Sequence, residues 1–145
     1  MIKFLIEKYI IELIKGFILN LKYSFINKEE KLIEAAENGH AETVKFLLDR
    51  DADIHADNDL ALRWASENGH TETVKLLLDQ GANIHSFDDY ALRWASENGH
   101  TETVKVLLSR GANACACNNC ALCCATEYGY TEIAKVLKEY MKKNK

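Results

Sequence analysis

The sequence predicts an all-α solenoid of stacked antiparallel helix pairs joined by short extended finger loops, and three observations carry that expectation. The segment Leu62–Leu78 returns almost unchanged at Leu92–Leu108, is recognisable at Leu32–Leu48 and persists in altered form at Leu122–Lys138, a period of thirty residues. Six of the seven glycines fall at two phases of that period: Gly39, Gly69, Gly99 and Gly129 at one, Gly81 and Gly111 at the other. Apolar residues between the glycines recur at helical spacing. A unit this short cannot bury its own apolar face, so its neighbours must cover it.

The first element spans residues 1–26, an apolar stretch whose charges Lys3, Glu7, Lys8, Glu12, Lys15 and Lys22 fall on one half of a helical wheel. It reads as an amphipathic capping helix or a decayed repeat, since Glu12, Ile14, Lys15 and Ile18 match the phase of Glu42, Val44, Lys45 and Leu48. Units follow at 27–55, 56–85, 86–115 and 116–141. Within a unit, Asp59, Asp89 and Asn119 stand where N-cap acceptors of the first helix belong, with Glu29 a poorer one in the first unit. Gly69 and its counterparts end that helix in a left-handed C-cap. Thr71 and Glu72 open the second helix, the acid favoured by the helix dipole, and Val74, Leu77 and Leu78 make its buried stripe. The connection Ala82–Tyr90 reads as an extended finger anchored by Ile84. In the last unit Lys138 takes the phase of Leu48, Leu78 and Leu108, so the apolar ladder should end there in a polar cap, with residues 142–145 a frayed basic tail.

Glu-Asn-Gly-His, then Val-Lys-x-Leu-Leu, then Gly-Ala-Asn-Ile, in that order and phase, resemble the ankyrin repeat over residues 28–141. The usual Thr-Pro-Leu-His is replaced by Leu60-Ala61-Leu62-Arg63 and Tyr90-Ala91-Leu92-Arg93. The finger is also about three residues shorter than in the common form. The shortened unit with Ala-Leu-Arg-Trp-Ala-Ser is similar to ankyrin repeats abundant in large DNA viruses of amoebae. The resemblance implies a non-catalytic module that binds another protein, in a viral setting a host protein, across its finger tips and the exposed side of its first helices.

Candidate contact residues follow from variation on that constant frame. Asp57, Asn58 and Asp59 become Phe87, Asp88, Asp89 and Tyr90, and then Asn118 and Asn119 flanked by Cys117 and Cys120. An apolar anchor with an acidic rim suits a protein partner. Arg63, Trp64, Arg93 and Trp94 join them because Trp and Arg dominate interface energetics, although a Trp at constant phase is equally what an inter-repeat packing ladder produces.

Charge narrows the function classes. Residues 1–31 carry six Lys against four Glu, 32–111 seven basic against fifteen acidic, and 112–145 five Lys against three Glu. An acidic middle opposes nucleic-acid binding, which needs a basic stripe to displace counterions. No nucleophile–base pair, phosphate-cradling loop or convergent carboxylates stand at a usable spacing, so the reading is no enzyme, no small-molecule substrate and no cofactor. Glu7 and Lys8 interrupt the apolar run where a signal peptide would be uncharged, and all five cysteines lie between residues 115 and 124, which together suggest a cytoplasmic protein; a monomer is expected.

Two rivals remain. Cys115, Cys117, Cys120, Cys123 and Cys124 contain overlapping CxxC spacings that could bind zinc, although Cys123 and Cys124 begin a helix and point about 100° apart. Residues 1–26 could instead tether the protein to a membrane surface. His40, His55, His70, His85 and His100 follow the repeat, one to each half-unit, and are assigned structural roles.

Overall fold

In the computed structural model the described residues are 6, 9–15 and 27–144. Helix α1 includes residues 6 and 9–15. It is followed by α2 (Lys28–Glu37), α3 (Ala41–Leu48), α4 (Ala56–Glu67), α5 (Thr71–Asp79), α6 (Ser86–Glu97), α7 (Thr101–Ser109), α8 (Ala116–Glu127) and α9 (Thr131–Lys143). First helices α2, α4, α6 and α8 pack in one row and second helices α3, α5, α7 and α9 in another, each packed on its partner. The chain is thus the all-α solenoid expected.

Two ladders run through it. Leu32, Leu62, Leu92 and Leu122 with Ala35, Ala65, Ala95 and Ala125 line the first-helix row, and Val44, Val74, Val104 and Ala134 with Leu47, Leu77, Leu107 and Leu137 line the second. They merge into one core. The alanines let adjacent first helices approach closely, and their interlocking with leucines gives each unit the cover it lacks alone.

Glycine ends both kinds of helix in the six-to-one and five-to-two bonds of a Schellman motif. After α4, His70 N–H donates to Ala65 O at 2.9 Å and Gly69 N–H to Ser66 O at 3.2 Å. After α5, Ala82 N–H donates to Leu77 O at 3.0 Å and Gly81 N–H to Leu78 O at 3.2 Å. Gly69 and Gly81 have φ of 71° and 96°, and Asp51 occupies the latter phase in the first unit at φ 61°.

The loops are short, as expected, but their tips are wound instead of extended. Asp57, Asn58 and Asp59 all take left-handed dihedrals, as do Phe87, Asp88 and Asp89, and Cys117, Asn118 and Asn119. The right-handed part of each first helix starts only afterwards. Asp and Asn tolerate this conformation, whereas other L-residues lose about 1–2 kcal/mol each. Lys142 and Lys143, expected in a frayed tail, instead form the last turn of α9. Ile10, Ile11, Leu13 and Ile14 of α1 are exposed. Most of the proposed N-terminal cap lies outside the described residues.

Candidate partner-binding surface

The wound tips stand in a row, and hydrogen bonds to the following unit fix their spacing. Asp59 is 4% exposed. Its Oδ1 accepts from Asn83 N–H of the next finger at 2.7 Å and lies 2.9 Å from His55 Nδ1. Asp89 repeats the arrangement at 5% exposure, with Asn113 N–H at 2.7 Å and His85 Nδ1 at 3.1 Å. These aspartates therefore do not cap their own helices and do not face solvent, which corrects their reading as N-caps and as contact residues. In the first unit Asn27 is the N-cap, accepting from Glu29 and Glu30 N–H at 3.1 and 3.4 Å. Glu29 takes the inter-unit role, accepting from Asp53 N–H at 3.3 Å.

Arginine braces the tips from below. Arg63 donates from Nη2 to Asp57 O at 2.7 Å and from Nε to Asn58 O at 3.3 Å. Asn58 O also accepts from Ser86 Oγ of the following finger at 2.7 Å. The Arg63 guanidinium lies 4.7 Å from the Phe87 ring centre, and that of Arg93 lies 3.8 Å from the Tyr90 ring centre. Tyr90 and Trp94 pack at 4.4 Å with planes tilted by 58°. Charge on an aromatic face and tilted ring pairs are both stabilising, so this layer is held before any partner arrives.

Of the expected contact residues, Asp57, Asn58, Phe87, Asp88 and Asn118 are exposed at the tips. Arg63, Trp64, Tyr90, Arg93, Trp94 and Asn119 are half-buried. The Trp64 indole Nε1 is buried with no hydrogen-bond partner, so the polar edge of that ring is turned inward. Phe87 is 58% exposed, and it is the large apolar side chain of the tips.

Sequence reading missed how the inner turns are joined. His70 Nε2 meets Glu37 O at 2.8 Å and His100 Nε2 meets Glu67 O at 2.7 Å, each ring reaching the last carbonyl of the preceding first helix. The rings lie against Gly39 and Gly69, and Tyr130 lies against Gly99; a Cβ on Gly39 would come 2.5 Å from the His70 ring, and one on Gly99 2.6 Å from Tyr130. Glycine is needed there twice over, for its dihedral and for its missing side chain. The signal was present in the common period of Gly39, Gly69, Gly99 and the rings thirty-one residues on.

The cysteines converge on no site. Among the described residues no group of three or more His, Cys, Asp or Glu side chains is placed to hold a metal ion. The Cys120 thiol lies above its ordinary value, chiefly through hydrogen bonding with Cys117 and then through desolvation. Burial, aided by the Glu97 carboxylate, raises Cys124. Both shifts oppose the thiolate that metal binding requires. Among the described residues no helix is long and apolar enough to cross a membrane.

A family model described as ankyrin repeats in three copies matches the chain twice, over residues 1–88 and 85–145. No curated protein matches it.

Proposed function

The chain belongs to the ankyrin repeat family, and from that premise we propose that it is a non-catalytic adaptor gripping a protein partner with its wound finger tips and the flanking faces of α4 and α6. Ankyrin repeats in general mediate protein–protein interaction. The observation that supports a site at the tips here is Phe87. A bulky aromatic held at φ 52° is costly, and at 58% exposure it recovers little by burial. Strain of this kind concentrates at functional positions. Asp57 and Asp88 are exposed at the same row of tips, and the Arg63 guanidinium lies against the Phe87 ring. A partner offering an apolar pocket rimmed by Lys or Arg would match. The thirty-residue unit with its Ala-Leu-Arg-Trp-Ala-Ser phrase supports a viral source and a host protein in the cytoplasm as the target.

The deciding experiment is affinity capture from the native host cell with wild type and with Phe87→Asn plus Asp88→Asn, both of which suit the left-handed dihedral. Loss of the same captured protein at an unchanged melting temperature is the expected result, and identical capture by both would refute the tip site. The exposed apolar residues of α1 favour a second reading, attachment to a lipid headgroup layer. Flotation with anionic liposomes, with and without residues 1–26, tests it.

A further inference from the structure

Arg63 and Arg93 stand at one phase of the repeat and are held differently. Arg63 donates two hydrogen bonds to the carbonyls of its own finger tip. Leu60, at the phase of Tyr90, offers it no ring. In the next unit Tyr90 takes the flat face of the Arg93 guanidinium at 3.8 Å, and Trp94 packs against that tyrosine at 4.4 Å between ring centres. Among the described residues Arg93 has no hydrogen-bond acceptor and no carboxylate partner. Its side chain is half-buried and held in place, with its N–H edges left for another molecule.

The neighbouring helix leaves room beside it. Thirty residues after Tyr90, Arg93 and Trp94 the chain has Cys120, Cys123 and Cys124, so α8 carries none of the bulk that those three side chains give α6. Electrostatics place the surrounding groups together. Burial lifts the Cys124 thiol, the Glu97 carboxylate adds to the rise, and Arg93 opposes it. Tyr128 is raised by Glu97 first and by Glu127 second. Arg93 lies one turn before Glu97, the last residue of α6, and Glu127 is the last residue of α8. The α6–α8 step thus carries a cation with two carboxylates beyond it.

We propose that Arg93 receives an acidic side chain of the protein partner, in a segment that lies across the α6–α8 step and sets a basic side chain against Glu97 and Glu127. The inference rests on the reading of this chain as a protein-binding module and adds a contact area beside the tips. A carboxylate meets a guanidinium edge in two parallel charge-assisted bonds, and an arginine already ordered by stacking loses little freedom in making them. The small thiols let the backbone of the segment come close. Acid and base on that segment should stand about one helical turn apart, as Arg93 and Glu97 do.

Selection from a random-peptide phage library tests this, each peptide being joined to the coat protein through its C-terminus so that side chains supply its carboxylates. Wild type should enrich peptides in which Asp or Glu stands about one turn's length from Lys or Arg. In fluorescence anisotropy a synthetic copy of the enriched peptide should bind Arg93→Gln about tenfold more weakly or worse. Cys124→Trp should also weaken it, because the ring that α6 carries at this phase would close the opening. Circular dichroism confirms that both variants are folded. Undiminished binding by either variant, or enriched peptides that lack the acid, overturns the proposal and leaves the protein-binding reading intact. No enrichment at all overturns the proposal and counts against that reading as well.

Discussion

Asp59 and Asp89 hold their own fingers closed and, through the same carboxylate oxygen, hold the backbone of the next unit. Replacing Asp89 with Ala leaves the Asn113 N–H without its acceptor, so a loss of about 1–3 kcal/mol in urea unfolding is expected, with Asp89→Asn milder because an acceptor remains. Phe87 behaves oppositely. Phe87→Asn relieves about 1 kcal/mol of left-handed strain and forfeits about 0.5 kcal/mol of contact with Arg63, so thermal stability should hold or rise slightly while partner capture is lost. At Cys120 and Cys124 the thiol is raised, so the thiolate fraction at neutral pH is below that of an ordinary cysteine and recovers only at higher pH. Iodoacetamide labelling followed by mass spectrometry should find both sites slower than in an unfolded control at neutral pH, with the gap narrowing as pH rises.

Among the elements, the helix ends separate two uses of glycine. Gly81 has open space around its missing Cβ and needs only its dihedral, whereas a Cβ on Gly69 would strike the His100 ring. Gly81→Ala should therefore cost about 1–2 kcal/mol, and Gly69→Ala more, since the His100 bond to Glu67 must also shift. Asp51→Gly should stabilise the first unit by about 0.5–1 kcal/mol, the positive dihedral being cheaper for glycine. The helices, their glycine stops and the buried stripes could be read from period and phase because each depends on residues within one turn of one another. The tips could not. Asp-Asn-Asp suits an N-cap and a left-handed turn alike, and what selects between them is Asn83 N–H, twenty-four residues further on. The exposure of Phe87 follows its variation between units, whereas the inward turn of Asp59 and Asp89 depends on a neighbour that local chemistry does not reveal.

Across the whole molecule, stability is a sum of units and junctions, so it should vary along the stack. Leu77→Ala in the centre removes a fully buried rung and should cost about 2–5 kcal/mol. Leu137→Ala should instead loosen α9 and its unit first, visible in native-state hydrogen exchange as early opening of residues 131–143 while α4–α7 stay protected. The links between units join residues at fixed distances along the chain: 24 from Asp59 to Asn83, 32 from Thr71 to Thr103, 33 from Glu37 to His70. A copying slip that inserted one complete thirty-residue unit between α5 and α6 would reproduce every one of those distances on both sides of the insertion. The gene can thus lengthen the wall in whole steps without redesigning a seam, while an insertion of any other size would break three fastenings at once.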